Sequence, residues 1–526
     1  MLAAIRSAAV IGINAYDVTV EVDATSGLPQ WTLVGLAAGA VREARERVSA
    51  AVLNSGFALP PRRITVNLAP ADTRKEGTAF DLPIALGVLV ATGQLDAASL
   101  ERIVALGELG LDGSLRPVRG VLPVARQLAE RGMQSGNGND APITLVLPPA
   151  NMAEAALVSR LKVRAPETLA DLVTALRRRS LDTLPVPDAR LPADTSSPPD
   201  LSDVVGQGSA RRALEVAAAG AHALLMIGPP GSGKTMLARR LPGILPPLSE
   251  AEALEVVSIR SVAGELCAGG AVPRDRPFRA PHHTLSAAAL VGGGRLPRPG
   301  EASLAHHGVL FLDEMQEIPR QVLDALRQPM EDGVVTVARA SAVIRFPARF
   351  ALVGAMNPCP CGHAGDPRAL CRCSASDIER HAARLSGPLA DRIDMHVHLS
   401  PVPLREFGRL DGSEPSRTVR DRVERARAIQ CARYAGVPGV LCNAHAPGRW
   451  IDRCTPVEPD AQELLVQAES RYALTARAYH RVLKVARTIA DLDGDDTVRA
   501  AHVAEGLRYR PAQVGIDQPR AIAVER

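Results

Sequence analysis

A glycine-rich segment is the clearest chemical feature of this sequence. It reads Gly228-Pro229-Pro230-Gly231-Ser232-Gly233-Lys234-Thr235 and has the spacing G-x-x-x-x-G-K-[ST]. An apolar strand-like run, Ala223 to Ile227, precedes it and a helix is expected from about Met236. Backbone N–H groups of such a loop close around phosphates, the lysine reaches the terminal phosphates, and the threonine hydroxyl is a ligand for Mg²⁺. The segment therefore predicts an ATP and Mg²⁺ site.

A second feature is the apolar run from Val309 to Leu312, which ends in Asp313-Glu314. We expect a buried strand that ends in two buried carboxylates, which cost too much free energy to be packing groups alone. Asp313 would hold Mg²⁺, and Glu314 would polarise an attacking water. Together with the glycine-rich segment, this pair predicts ATP hydrolysis.

Other candidate polar residues follow a third strand or lie on a later helix. Asn357 follows the expected strand from Arg349 to Met356, so it would touch the γ-phosphate or its water. Arg477 and Arg481 are four residues apart and share one helix face, from which one of them could report on the γ-phosphate. Most arginines of this kind are solvated surface groups, and the spacing alone does not separate the two interpretations.

Cysteines form two pairs, Cys359-x-Cys361 and Cys371-x-Cys373. Four thiolates can satisfy tetrahedral Zn²⁺ and pin a small loop. Two alternatives stay open at this stage: His363 could replace one thiolate, or the four thiols could be free and reduced.

Length and charge limit the class of protein. The 526 residues are 46% apolar and carry 61 Lys and Arg against 57 Asp and Glu, a net charge of +4. Such a balance gives no bulk basic field, so DNA binding would need local patches. No signal peptide or membrane span is evident, and a soluble cytoplasmic protein is expected. We expect a module over 1–182, a proline-rich linker over 183–200, an α/β module over 201–400, a helical module over 401–510 and a flexible tail over 511–526.

Several longer strings carry a family resemblance. They are Val41-Arg-Glu-Ala-Arg-Glu-Arg-Val48, Pro277-Phe-Arg-Ala-Pro-His-His283, Pro299-Gly-Glu-Ala-Ser-Leu-Ala-His306, Asn357-Pro-Cys-Pro-Cys361-Gly and Ser386-Gly-Pro-Leu-Ala-Asp-Arg392. Residues 201 to 510 resemble the magnesium-chelatase branch of the AAA+ ATPases, and nearly the whole chain resembles the ComM/YifB group of that branch.

This resemblance implies a multidomain α/β fold, with an AAA+ P-loop core bearing pore-facing insertions and a C-terminal all-α lid. It implies a homo-oligomer, usually a hexameric ring. By motif position, Asn357 resembles sensor 1, Arg392 resembles the arginine finger that acts on a neighbouring subunit, and Arg477 resembles the sensor 2 arginine.

The N-terminal module resembles the α+β fold of the Lon protease domain, which is similar to the second domain of ribosomal protein S5. The position of the Lon serine is Ala79 here, and that of the Lon lysine is Leu122. A Ser–Lys dyad needs a hydroxyl and an amine, so we expect a binding or assembly module.

Two segments resemble pore-facing insertions. Val334 to Ala338 and Ala342 to Phe346 predict a hairpin with Arg339 at its tip, where it could grip DNA phosphates. A plain surface hairpin is the alternative. Residues 275–300, which include Arg279, His282 and His283, resemble the insertion in helix 2 of related motors.

Three functions are compared with these features. The favoured one is a ring-forming, ATP-driven DNA motor that promotes branch migration or unwinding while incoming single-stranded DNA is integrated in natural transformation. The second is a chelatase-like ATPase that remodels a protein partner. An ATP-dependent protease is disfavoured by Ala79 and Leu122.

Overall fold

A computed structural model describes residues 2–35, 43–71, 75, 77–134, 143–159, 161–186, 198–266, 275–294, 297–339, 342–385, 387–402, 414–472 and 474–510. The described chain is a mixed α/β protein with two larger sheets. Its strands are β1 (Leu2–Ile11), β2 (Asn14–Thr25), β3 (Gln30–Val34), β4 (Arg63–Ala69), β5 (Ile103–Ala105), β6 (Glu108–Leu109), β7 (Leu115–Arg116), β8 (Thr144–Val146), β9 (Lys162–Arg164), β10 (Leu224–Ile227), β11 (Phe278–Arg279), β12 (Val309–Leu312), β13 (Val334–Arg339), β14 (Ala342–Pro347), β15 (Ala351–Met356) and β16 (Met395–His398).

Helices surround both sheets. They are α1 (Ala44–Asn54), α2 (Asp81–Ala91), α3 (Val121–Gln134), α4 (Met152–Ala155), α5 (Leu169–Arg177), α6 (Gly208–Gly220), α7 (Lys234–Ala238), α8 (Leu241–Ile244), α9 (Glu250–Ala263), α10 (Ala287–Val291), α11 (Glu301–Leu304), α12 (Arg320–Asp324), α13 (Arg327–Asp332), α14 (Ala375–Ala382), α15 (Gly387–Ala390), α16 (Ser416–Arg433), α17 (Gly448–Cys454), α18 (Pro459–Tyr472), α19 (Ala476–Asp493) and α20 (Ala500–Arg508).

The first sheet has seven strands in the order β3-β4-β2-β1-β5-β8-β9. Strands β2 and β4 alternate between buried and half-exposed residues, with Ile64, Val66 and Leu68 of β4 inside, because one of their faces packs on helices. Strands β5 and β8 are buried at every residue. Helix α2 is buried along its whole length and covers this sheet.

The second sheet has five parallel strands in the order β11-β12-β15-β10-β16. The runs Leu224–Ile227, Val309–Leu312 and Ala351–Met356 are nearly continuous in apolar residues, the pattern of strands with helices on both faces. Parallel strands align their carboxyl ends, so the residues that follow β10, β12 and β15 meet at one edge of the sheet.

The regular elements that the structure describes after residue 414 are helical and include α16 to α20. Val419 and Val423 of α16, with Ile489 of α19, share a buried cluster with Leu224 and Met226 of β10. These C-terminal helices therefore pack on the five-stranded sheet through an apolar face.

Strands β13 and β14 form an antiparallel hairpin, with Val334 opposite Pro347 and Arg339 opposite Ala342. Arg339 ends β13, and residues 340–341 lie outside the described chain, as do residues 135–142, most of the linker (187–197) and the tail beyond 510. One expectation needs correction: Arg279 belongs to β11 of the central sheet, where it pairs with Glu301 (2.7 Å) and Glu265 (3.1 Å), so it is not part of an inserted arm.

None of the helices in the described ranges combines the length and the apolar character needed to cross a membrane.

Candidate functional site

The glycine-rich segment leaves the carboxyl end of β10 and leads directly into α7. Gly231 and Gly233 have φ of +74° and +91°, conformations that L side chains rarely adopt. The Lys234 ammonium donates to the carbonyl oxygens of Gly228 (2.6 Å) and Pro229 (3.1 Å). Burial lowers the pKa of Lys234. The loop thus holds one buried ammonium over its own backbone.

Asp313 and Glu314 follow β12 at the same edge. The Thr235 hydroxyl donates to Asp313 Oδ2 (2.7 Å), so the two predicted Mg²⁺ ligands are in direct contact. The expectation of two buried acids is wrong: Asp313 is half-buried, and the side chain of Glu314 is 53% exposed. Glu314 has a left-handed backbone (φ +47°), which turns the chain away from the sheet immediately after Asp313.

Asn357 follows β15 and completes this edge. Its Oδ1 accepts a hydrogen bond from the Lys234 ammonium (3.2 Å). The Ser232 hydroxyl is buried and has no hydrogen-bond partner among the described residues. An ammonium, a paired hydroxyl and carboxylate, and an unused hydroxyl donor form the donor set that a Mg²⁺-bound triphosphate requires.

Three residues that sequence reasoning did not assign to this site also contact it. Gln207 donates to the carbonyl oxygens of Ser232 (3.0 Å) and Ser400 (2.6 Å), and so connects the P-loop to the chain after β16. His283 Nδ1 lies 3.1 Å from Glu314 Oε2. His381 Nε2 lies 3.1 Å from the Asn357 carbonyl oxygen. These contacts join distant segments, and no local spacing in the sequence signals them.

Arg392 and Arg477 lie outside this site. Both line a separate cavity of about 560 Å³. The cavity also contains Ala223, Leu352 and Asp394, which lie at or before the amino ends of β10, β15 and β16. It therefore opens at the edge of the sheet opposite the P-loop. A four-residue strand spans about 13 Å, so the two sites are separated by at least that length.

Arg392 is held inside its own chain. It donates to the Pro388 carbonyl oxygen (2.6 Å) and pairs with Glu331 of α13, and its Nε has no partner among the described residues. Arg477 is exposed, whereas Arg481, one turn later on α19, is mostly buried and contacts Asp391. The exposed arginine of this pair is therefore the freer to meet an external anion.

The cavity wall carries both signs of charge. Besides the three arginines already named, Arg349 and Lys484 line it, together with Glu331, Asp332, Asp391 and Asp394. Lys484 donates to the Ala444 carbonyl oxygen (2.8 Å), and burial lowers its pKa.

The four predicted cysteines come together. The sulfur of Cys359 lies 3.3 Å from that of Cys361 and 3.7 Å from that of Cys371, and the sulfurs of Cys361 and Cys371 are 3.6 Å apart. All four sulfurs, Cys373 included, lie within 4.8 Å of one another, and this group could hold a metal ion. His363 is not in the group; its ring faces Asp366 (3.5 Å).

A second cluster, Glu255 with His306 and His307, also has closely spaced ligand atoms. Each histidine Nε2 lies 3.0 Å from Glu255 Oε2. His306 Nδ1, however, accepts the backbone N–H of Arg349 (3.0 Å), so in neutral His306 the proton is on Nε2, which donates to Glu255. This arrangement ties α9 to the start of β12 and leaves His306 no free nitrogen for a metal.

The two positions that resemble those of the Lon dyad carry no reactive side chains. Leu122 is fully buried, and its backbone N–H donates to Glu154 (3.3 Å). The same carboxylate oxygen accepts the hydroxyl of Ser261 in α9 (2.6 Å). Burial raises the pKa of Glu154. Leu122 and Ala79 thus offer no nucleophile, and this region joins the seven-stranded part to α9.

Comparison with known proteins agrees with this architecture. The family model described as "Magnesium chelatase, subunit ChlI" matches residues 200–407, "Subunit ChlI of Mg-chelatase" matches 20–136, and "Magnesium chelatase, subunit ChlI C-terminal" matches 413–510. The chain belongs to the magnesium-chelatase-like family, and its mixed α/β architecture with parallel strands fits a chelatase-like AAA+ fold.

Within that family, the chain is a member of the ComM/YifB group. Competence protein ComM of Haemophilus influenzae is 45% identical over 519 residues, which cover 97% of each chain. The uncharacterized protein YifB of Salmonella typhimurium is 42% identical over 512 residues, again 97% of each. A more distant relative is the magnesium-chelatase 38 kDa subunit of Cereibacter sphaeroides, 30% identical over 173 residues, which cover 30% of this chain and 52% of that subunit.

Proposed function

We propose that this protein is an ATPase whose subunits form a ring, usually a hexamer, and that it drives DNA branch migration or unwinding. The observation that carries the ATPase part is the meeting of Lys234, Thr235, Asp313, Glu314 and Asn357 at one sheet edge. In this proposal residues 201–400 are the AAA+ core, 401–510 the all-α lid, 1–182 a Lon-like module without its dyad, 183–200 the linker and 511–526 a tail.

Each residue at the carboxyl edge has a distinct role in this mechanism. Lys234 exchanges its loop carbonyls for the terminal phosphates, and Thr235 with Asp313 would hold Mg²⁺. Mg²⁺ when bound neutralises charge on the β- and γ-phosphate oxygens. Glu314, exposed toward solvent, accepts a proton from the attacking water, and Asn357 orients that water or the γ-phosphate.

Arg392 and Arg477 act on the nucleotide of a neighbouring subunit. They lie at the opposite sheet edge from the P-loop of their own chain, so cis contact would require them to cross the sheet. Members of chelatase-like AAA+ families are typically oligomeric, which gives these arginines a partner. Arg392 would then exchange Glu331 for phosphate oxygens.

DNA is the substrate that the relatives favour, since the name of ComM refers to competence. By this resemblance the motor would promote integration of incoming single-stranded DNA in natural transformation. The β13–β14 hairpin, with Arg339 at the end of its first strand, is the contact candidate.

A second candidate is a chelatase-like ATPase that remodels a protein partner, which the match to the magnesium-chelatase subunit favours. ATP hydrolysis measured without DNA and with single-stranded, forked and three-stranded DNA separates the two. Stimulation by DNA, with strand displacement on the branched substrates, supports the motor. Hydrolysis that no DNA changes, with no strand displaced, refutes it and leaves the chelatase-like function.

We also propose Zn²⁺ as the ion of the four-cysteine cluster. A tetrahedral site with Zn–S bonds of about 2.3 Å has sulfur–sulfur edges of about 3.8 Å. The three shortest sulfur–sulfur distances, 3.3 to 3.7 Å, are close to that edge and far longer than the roughly 2.05 Å of a disulfide.

A further inference from the structure

The cysteine cluster lies next to the proposed ATP site in sequence and in space. Cys359 is two residues beyond Asn357 and is fully buried, so the first sulfur is anchored at the end of β15. The last sulfur belongs to Cys373, which directly precedes the N-cap of α14, Ser374. The loop between them, here called the cysteine loop (residues 359–373), connects the sheet edge to α14.

The cysteine loop contacts the P-loop directly. Gly362 has φ of +83°, and a methyl group placed on its Cα would lie 2.9 Å from Pro230 Cδ and 3.1 Å from its Cγ. Ordinary van der Waals contact for such a carbon is longer, so the backbone of Gly362 packs against the ring of Pro230. A shift of this turn would therefore displace the phosphate-binding loop.

Apart from the sulfurs, short-range contacts shape the loop. The Asp366 N–H donates to the His363 carbonyl oxygen (3.1 Å), and the Asp366 carboxylate lies 3.5 Å from His363 and 3.3 Å from Arg368. Of residues 359–373 only Cys359 and Gly362 are fully buried, and the rest are half-buried or exposed. The Ala364 backbone N–H donates to the Cys359 sulfur (3.3 Å). Because so few side chains enter a core, a cross-link through the four sulfurs is the interaction that can offset the entropy of ordering this loop.

Both ends of the ATP site connect to this cross-link. Asn357 bonds to Lys234 through its side chain (3.2 Å) and to His381 of α14 through its carbonyl oxygen (3.1 Å). Pro230 meets Gly362. Cys359 and Cys361 lie between Asn357 and Gly362 along the chain, and Cys371 and Cys373 lie beyond them, so the cluster ties the stretch that makes both contacts to the far end of the loop.

We infer that the metal-loaded cysteine loop is a brace for the nucleotide site: a thiophilic divalent cation, Zn²⁺, on Cys359, Cys361, Cys371 and Cys373 holds Pro230 and Asn357 in the geometry that binds ATP. This inference rests on the proposed ATP site. It makes the metal a determinant of ATP affinity in this chain, and more than a local staple of an exposed loop.

The test compares three variants with the wild type by metal analysis, by binding of a fluorescent ATP analogue and by steady-state hydrolysis. Cys371→Ser/Cys373→Ser removes two ligands that lie far in sequence from Asn357. Gly362→Ala leaves all four thiols and disturbs the turn at φ +83° and its contact with Pro230. Cys431→Ser, an exposed cysteine of α16, is the matched control.

The wild type and Cys431→Ser should carry about one Zn²⁺ per chain. The double variant should lose it, and its kcat/KM for ATP should fall roughly 10- to 100-fold, the scale of a small displacement in a catalytic site. Gly362→Ala should keep Zn²⁺ and still bind the analogue more weakly, so this variant remains informative if the double variant fails to fold.

Each contrary result has its own meaning. A wild type with no Zn²⁺, which also takes up none from a metal buffer, overturns the site and the brace. Zn²⁺ in the wild type with unchanged analogue binding in Gly362→Ala, or in a folded double variant, overturns the brace alone. Failure of the proposed ATPase would appear separately, as a zinc-loaded wild type whose hydrolysis does not exceed that of Lys234→Ala.

Discussion

The two edges of the five-stranded sheet differ in what they lack. The carboxyl edge has a buried ammonium bonded to an amide, and a hydroxyl bonded to a carboxylate, but none of the arginines predicted from the sequence. The amino edge has a cavity with Arg392 and Arg477 but no glycine-rich loop. Within one chain the two sets of groups therefore lie at opposite edges of the sheet.

The edges also differ in how their groups are held. At the carboxyl edge the polar groups bond to each other, so phosphate binding replaces contacts within the same site. At the amino edge Arg392 is paired with Glu331, which is 57% exposed, and Arg477 is exposed. The Arg392 side chain is itself only 15% exposed, so in the proposed contact with a neighbour it would exchange a partly buried ion pair for phosphate oxygens.

The largest effect is expected at the carboxyl edge. Glu314→Gln removes the carboxylate that takes the proton from water, and kcat should fall by roughly 10²- to 10⁴-fold while ATP still binds. Lys234→Ala should instead lose ATP binding. Glu317→Gln, a nearby acid that pairs with Arg384 (3.1 Å), is the control and should hydrolyse ATP normally. Wild-type turnover in Glu314→Gln would show that the acids are wrongly assigned.

The next effect tests whether the two edges cooperate between chains. Arg392→Ala alone should lower kcat roughly 10²-fold, the cost of one donor to a charged transition state. Mixing it with Lys234→Ala subunits should restore part of the activity, because some interfaces then pair an intact Arg392 with an intact Lys234. Titrating the mixing ratio, with ring formation checked by light scattering, measures this. Rings that show no recovery at any ratio would argue for action within one chain.

Local patterns made part of this molecule predictable from its sequence. The P-loop and the strands before it are contiguous, and the alternation in Ile64, Val66 and Leu68 reports one buried face. The position of Glu314 was not predictable in the same way, since a left-handed residue after β12 turns it into solvent. Burial of an acid depends on that single dihedral angle, which the residue type does not determine.

Contacts between distant segments were the second feature that could not be predicted from the sequence. Gln207 reaches the P-loop, and His283 reaches Glu314, only because the chain crosses the sheet between them. The cysteine spacing left Zn²⁺, a histidine ligand and free thiols all open, and the approach of the four sulfurs favours the first. The roles of all the predicted site residues stay predictions, those of Asn357, Arg392, Arg477 and Arg339 included.

A smaller effect at the carboxyl edge is expected from His283. Its ring lies 3.1 Å from Glu314 Oε2, so it restrains an otherwise exposed carboxylate. His283→Ala should lower kcat by about 3- to 10-fold with little change in KM, since a hydrogen bond to a charged group contributes about 1.5–3 kcal/mol when buried and less here. His283→Asn, which keeps a donor, should recover most of the loss. A change in KM alone would mean that His283 only supports substrate binding.

The smallest effect concerns the proposed DNA contact, which lies at neither edge of the five-stranded sheet. If the β13–β14 hairpin grips the backbone, Arg339 at the end of β13 neutralises phosphate without reading bases, because a motor must pass any sequence. Arg339→Ala should weaken binding equally for unrelated sequences and reduce the slope of log affinity against log salt by about one.

Arg345→Ala, in the opposite strand across from Thr336, is the matched control of equal charge. Fluorescence anisotropy across a salt series measures both variants, and ATP hydrolysis without DNA should be unchanged because the hairpin lies outside the P-loop edge. Equal slopes for Arg339→Ala and the wild type would remove the hairpin from the DNA path, and no binding by the wild type at low salt would favour the chelatase-like alternative.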